Sequence, residues 1–208
     1  MRRTFGRIPA AGAALLAAVL AASACSKTVT VPQSFTINPP PARLGASPAT
    51  GRVLALRRAL VDPVYSGSAL VYRIGEYRVE SDPYARFGSS PAPMLTAAIL
   101  GYLKDASFVR DVVVPGDVLP VAAEIEPHVS ELYGDFRNPD DPAAVLAISF
   151  RVLEPGAGTN AAKELLSRTY TQRIRVSQRT AASLVVAWNE ALAEIMKVFQ
   201  ADLKATLG

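Results

Sequence analysis

Few side chains in this sequence belong to types that do chemistry readily. There is one cysteine, Cys25, and one histidine, His128. His128 stands two residues from Glu126. An imidazole beside a carboxylate can serve as a general base, but the plainer reading of His128 is a solvated residue of an alternating strand. Asp135 with Asp140 and Asp141 supplies carboxylates of the kind that hold calcium. Pro139 and Pro142 bracket the Asp140-Asp141 pair, which fits a solvated turn better. Arg73, Arg78 and Arg86 are candidates for anionic headgroups, against the simpler reading of surface charge. The sequence has no G-x-S-x-G elbow, no H-E-x-x-H and no phosphate loop. No catalytic residue, metal site or cofactor is therefore assigned, and the expectation is a protein that is not an enzyme.

Cys25 is different, because of the residues before it. Arg2, Arg3 and Arg7 form a positive segment without an acid, and Ala10 to Ala22 is an unbroken apolar run. A permanent membrane helix needs about 20 apolar residues, so this run is too short to span. It has the length of a signal-peptide core. Ser23 and Ala24 then lead into Cys25. A small residue before the only cysteine, after such a run, resembles the bacterial lipobox, with Ala22 where leucine is commonest. Cleavage between Ala24 and Cys25 is expected, with S-diacylglycerol on the thiol and an acyl group such as palmitate on the new amino group. The alternative is an ordinary secretion signal with Cys25 incidental. More than one acyl chain anchors a protein stably. Ser26 stands where an aspartate usually retains a lipoprotein in the inner membrane, so the expected location is the periplasmic face of the outer membrane.

The formal charge of +4 loses three positive charges when Arg2, Arg3 and Arg7 are removed. The remaining chain is close to neutral, and no nucleic-acid partner is inferred from charge. No cysteine comes after Cys25, so disulfides and thiolate metal sites are excluded. Half of the residues are apolar, 50%, and a mature chain of about 180 residues can bury one core.

Local patterns set out the elements that would position these residues. Residues 1–24 are the signal peptide, 25–33 a tether and 34–208 one domain, with a Pro-rich loop at 39–51. Ser34 to Asn38 is strand-like. Val53 to Val61 reads as one strand ended by Asp62-Pro63. Leu70–Ile74 and Tyr77–Glu80 form a hairpin about Gly75-Glu76. Ser90-Pro91 opens a helix whose apolar face is Leu95, Ile99, Tyr102, Leu103 and Ala106. Phe108–Val114 is a strand. In Ala123–Tyr133, Ala123, Ile125, Val129 and Tyr133 face one way and Glu124, Glu126, His128 and Ser130 the other, with Pro127 marking a bulge or an edge. Ala144–Val152 and Leu166–Val176 alternate as an antiparallel pair. From Thr180 to Leu207 one helical stripe holds Leu184, Trp188, Leu192, Ile195, Phe199 and Leu203, opposite Glu190, Glu194, Lys197 and Lys204. The fold class is α+β: a mixed, largely antiparallel sheet with two main helices on it. Tyr84 and Phe87 are candidates for a partner-facing loop or, equally, for the core.

Three stretches resemble the ABC-type transport auxiliary lipoproteins, the group that includes the lipoprotein of the paraquat-inducible Mce transport operon. They are Tyr72-Arg73-Ile74-Gly75-Glu76-Tyr77-Arg78-Val79-Glu80 with Tyr84-Ala85-Arg86-Phe87 and Pro91-Ala92-Pro93-Met94-Leu95; Leu132-Tyr133-Gly134-Asp135-Phe136-Arg137; and Ala187-Trp188-Asn189-Glu190-Ala191-Leu192. The loop Phe87-Gly88-Ser89-Ser90 departs from the family's bulkier run. The resemblance implies an α+β domain beside ABC transporter subunits and an Mce-domain protein that move lipids or other hydrophobic molecules, with a ring of copies as one form of assembly. The alternative is an envelope lipoprotein that binds cell wall or outer-membrane assembly factors without a transporter.

Replacing the thiol tests the anchor. Cys25→Ser should leave export intact, abolish labelling with palmitate and release the chain to the soluble periplasm. Undiminished labelling in that variant would refute it.

Overall fold

The computed structural model of the chain describes residues 31–38, 51–114, 120–156 and 161–208. The segment expected to be a signal peptide, Cys25, residues 39–50 of the Pro-rich loop and Pro115-Gly116 lie outside the described residues. Internal contacts group residues 1–31 apart from Pro32–Gly208, and the elements below belong to the second unit.

Three long strands form its centre. β7 (Ala123–Asp135), β8 (Ala143–Glu154) and β9 (Lys163–Arg175) pair antiparallel in that order. The other edge of β7 is shared out along its length. Its start pairs with β2 (Arg52–Leu56), its middle with β3 (Leu60–Val61) and its end with β4 (Ala69–Arg73), all parallel. β6 (Val109–Val113) continues the sheet beyond β2, while β5 (Val79–Phe87) and then β1 (Gln33–Phe35) continue it beyond β4. Among the described residues this makes one nine-stranded sheet. It is mixed, and its longest ladders are antiparallel, as expected.

The segment read as one strand from Val53 to Val61 is broken. Arg57 turns its side chain onto Glu124 and Glu126 of β7, and Ala59 is buried with its N–H donated to Thr96 Oγ1 at 2.9 Å. Pro127 sits in the interval between the residues paired with β2 and those paired with β3, where a missing N–H costs no ladder bond. The irregularity expected near Pro127 falls just after it, between Val129 and Glu131. That bulge reverses the alternation, so Tyr133 joins the face of Glu126 and His128 rather than that of Ile125.

Helix α1 (Pro91–Lys104) begins after Ser90, whose side chain makes no capping bond. Helix α2 (Ala181–Leu207) is capped by Thr180, which accepts from the Ser183 N–H. Both helices bury their apolar faces against one side of the sheet. The stripe predicted for α2 is the buried one: Leu184, Trp188, Leu192, Phe199 and Leu203 are fully enclosed. Phe199 stacks on Phe150 of β8 with centroids 3.9 Å apart. Trp188 packs 5.7 Å from Phe87 and donates its indole N–H to the Val145 carbonyl at 3.1 Å. Gly134 is what lets the first turns of α2 come so close. A Cβ there would stand 2.7 Å from Leu184 Cδ1 and 3.2 Å from Tyr72 Cδ1. No helix of the described residues is long and apolar enough to cross a membrane.

Trp188→Ala should cost about 3–5 kcal/mol, the range for truncating a buried aromatic, and it also takes the indole donor from the Val145 carbonyl. Lys197→Ala, on the exposed side of the same helix, should stay within about 0.5 kcal/mol. Urea unfolding of the two variants checks the assignment of faces.

Candidate functional site

With both helices on one side, the opposite face of β7, β8 and β9 is where polar side chains converge. Its two ends differ. At the end nearer the start of β7, a groove of about 730 Å³ is lined by Arg57, Arg58, Glu126, His128, Ser149 and Arg151, among others. The registers explain the gathering: Glu126 lies opposite Arg151, and His128 opposite Ser149. The result is a row of alternating charge across the sheet. Arg57 meets Glu124 and Glu126, Glu126 meets Arg151 at 2.9 Å, and Arg151 meets Glu164 at 3.1 Å. Opposite charges placed across strands stabilise a sheet by a few tenths of a kcal/mol each, roughly. Arg58 alone among the arginines lining the groove makes no ion pair within the described residues.

His128 does not use Glu126. Its Nε2 lies 2.7 Å from Asp62 Oδ1, at the end of β3, and both side chains are nearly half exposed. Asp62, His128 and Ser149 thus lie side by side across adjacent strands. The Ser149 hydroxyl is bonded to Thr169 Oγ1 at 2.7 Å rather than to the imidazole, so the relay of an acyl-transfer site is not assembled.

At the other end of the face the chemistry is aromatic and basic. Tyr133 stacks on Tyr65 at 5.9 Å, and the Arg73 guanidinium lies 5.8 Å from the centre of the Tyr133 ring. Asp135, the one buried charged residue among those described, accepts two bonds of 2.8 Å from Arg137. This fork, with Arg173 at 3.8 Å, holds the Asp135 carboxyl below the usual range. Asp141 is taken by Arg173 at 2.9 Å and Arg175 at 3.3 Å. Of the acids considered for calcium, Asp135 and Asp141 are therefore neutralised by arginines, and no group of three potential ligands is placed for a metal among the described residues.

The remaining sequence candidates separate. Arg73 donates to the Glu76 carbonyl at 3.0 Å, Arg78 pairs with Glu80, and Arg86 is exposed. Phe87 is buried against Trp188, so it belongs to the core and not to a docking loop. Tyr84 is half exposed, pushed out by an irregular stretch of β5. Asp82 fastens that stretch by accepting from the N–H groups of Tyr84 at 2.7 Å and Ala85 at 2.9 Å and from the Tyr72 hydroxyl. Neither the Asp135–Arg137 fork nor the Arg57–Glu126–Arg151 row is signalled by sequence spacing. Strand registers bring the row together, whereas Asp135 and Arg137 meet within one segment, two residues apart.

The order of strands and helices defines an α+β domain with two helices on one side of a mixed sheet. The chain belongs to the family of ABC-type transport auxiliary lipoprotein components, which matches residues 9–198. No curated protein matches the chain by sequence. Among solved structures, protein XCC0632 from Xanthomonas campestris is similar at 16% identity, covering 86% of this chain and 96% of that one, with a TM-score of 0.67. An uncharacterized protein is similar at 11% identity, covering 83% and 99%, with a TM-score of 0.66. Protein CT253 from Chlamydia trachomatis is similar at 9% identity, covering 76% and 98%, with a TM-score of 0.55. These likenesses concern the fold alone.

The Asp135–Arg137 fork predicts a pH dependence. A carboxyl whose pKa is lowered by folding contributes stability above its unfolded value of about 3.9, and that contribution is lost as pH falls through the lower folded value. Asp135→Asn should cost about 2 kcal/mol at neutral pH, the scale of a charged hydrogen bond. It should also flatten the loss of thermal stability below a pH of about 4. An unchanged acid limb in thermal scans would show that the fork does not matter.

Proposed function

We propose that this chain is a non-enzymatic, outer-membrane-anchored component of an ABC/Mce-type system that moves lipids or other hydrophobic molecules across the envelope. The observation that carries the reading is the family match over nearly the whole chain. The site is compatible with it. Apart from Arg58, its charged groups are spent on one another, which suits a surface that docks to a protein better than a centre that transforms a substrate. Cys25 would hold the chain at the membrane by a thioether-linked diacylglycerol and an N-acyl group. The helix-free face, with the groove at one end and the Tyr65–Tyr133–Arg73 cluster at the other, would then meet the Mce-domain protein. The system's permease and ATPase would act further from the anchor.

Extraction in mild detergent with crosslinking should recover an Mce-domain protein with the wild-type chain. Reversing two charges of the row, Arg57→Glu with Arg151→Glu, should reduce that recovery at least tenfold while leaving the fold intact by circular dichroism. Deleting the gene should alter lipid distribution and detergent sensitivity. If no transporter subunit is ever recovered and the envelope is unchanged, the transport role fails, and an envelope lipoprotein binding cell wall or assembly factors takes its place.

A further inference from the structure

The turn between β4 and β5 carries an aromatic side chain that the fold does not use. The N–H groups of Ile74 and Gly75 both bond to the Arg78 carbonyl, at 3.0 and 3.3 Å, and Arg73 donates to the Glu76 carbonyl at 3.0 Å. The turn is therefore braced, with Gly75, Glu76 and Tyr77 at its tip. Tyr77 is 93% exposed, and its side chain makes no hydrogen bond or ring contact among the described residues. Val79, at the start of β5, is 49% exposed. The charges of the turn are balanced, with Arg78 paired to Glu80 and Arg73 and Glu76 on the same loop. The path of the chain says what this tip faces. β1 runs parallel to β5, with Gln33 opposite Ala85. The residues before Gln33 therefore leave toward the end of the sheet where β5 begins, which is the end that carries the tip. Along β4, Ala69 lies opposite Arg86 and is six residues from Gly75, so Gln33 stands about 20 Å short of the tip. From Gln33 back to Cys25 the chain extends at most about 28 Å. A lipid on Cys25 would attach no more than about 8 Å beyond the tip, which is close to the depth of one headgroup layer.

We infer that the β4–β5 tip is a membrane contact, in which Tyr77, with Val79 behind it, enters the headgroup layer of the bilayer that holds the Cys25 lipid. The inference rests on lipidation of Cys25 and is independent of the transport role. Reach selects a lipid surface over a partner protein. The bilayer is the one surface to which the chain would be covalently tied, and the tether leaves Gln33 toward the tip and ends near it. The side chain fits the same occupant. A tyrosine has an apolar ring and a hydroxyl that keeps a polar partner, and it is enriched where bilayer meets water, with its ring at headgroup level. Balanced charge on the turn means that the contact draws on the ring and not on attraction to anionic lipid. The lipid on Cys25 would be one point of attachment and the tip a second, so that the domain stands on the bilayer and does not roll about a single tether.

The test places a tryptophan at the tip and reads its emission against brominated lipid. The full chain is purified from membranes, assayed for palmitate, and returned to vesicles of phosphatidylethanolamine and phosphatidylglycerol, with or without brominated phosphatidylcholine. No other protein is present. The parent chain supplies the baseline, because its single tryptophan, Trp188, is buried. In vesicles the emission of Tyr77→Trp should move to shorter wavelength, and bromine should remove roughly half of the emission added at that position, as for a ring at interfacial depth. Val114→Trp should show neither change. That site is also exposed, at 70%, but it follows β6, beside β2 and the start of β7, toward the opposite end of the sheet. A palmitoylated Tyr77→Trp chain that is quenched no more than Val114→Trp overturns the tip contact and leaves the anchor standing. A parent chain without palmitate overturns both.

Discussion

The indole of Trp188 joins the two layers of this fold. Its ring is enclosed between α2 and the sheet, and its N–H reaches the Val145 carbonyl of β8. A buried indole N–H without an acceptor is costly, so this bond sets both the height and the rotation of α2 over the strands. Once they are set, the rest of the helix has little choice. Leu184 descends onto Gly134, Phe199 lies flat on Phe150, and Asp202 arrives within 2.6 Å of the Tyr170 hydroxyl. A helix of this length derives its stability mainly from such packing rather than from propensity. That is why the apolar stripe runs the full length of α2.

The stretches by which the sequence resembles its family serve mainly this architecture. Gly134 makes room for α2, Asp135 is clamped by Arg137, and Phe136 lies under the Arg179 guanidinium at 4.6 Å. Tyr72 packs on Phe136 at 5.2 Å and bonds Asp82, which organises β5. Asn189, beside Trp188, accepts from the Asn38 N–H at 3.0 Å and so fixes the chain as it leaves β1. A motif made of such residues identifies the fold strongly and the chemistry weakly.

Both helices, the 74–78 hairpin and the central antiparallel strands are legible in the sequence. Each rests on a local period or a cap that needs no knowledge of the rest of the chain. The apolar residues of β8 and the stripe of α2 are long enough for the period to speak clearly. The illegible features depend on neighbours distant in sequence. Val53–Val61 has the composition of one strand, yet Thr96 and Glu124 divide it into two. Tyr133 lies on the other face because one bulge comes after Val129. Phe87 reads as a loop residue until Trp188 is placed against it. At the site, Glu126 is nearer His128 in sequence, but Asp62 is the residue that β3 delivers to the imidazole. The parallel pairings of β2, β3 and β4 with β7 have no short-range signal at all, since no hairpin joins them.

The fastening of the N-terminal segment has a mechanical consequence. β1 pairs with β5, Ile37 is buried at 2% exposure and Asn38 is tied to α2. The chain is thus held from Gln33 onward. An extended chain spans at most about 3.5 Å per residue, so a lipid on Cys25 would be on a leash of less than about 30 Å. That is about the thickness of a bilayer's hydrocarbon core. A lipid on Cys25 would therefore set an upper limit on the distance between Gln33 and the membrane surface.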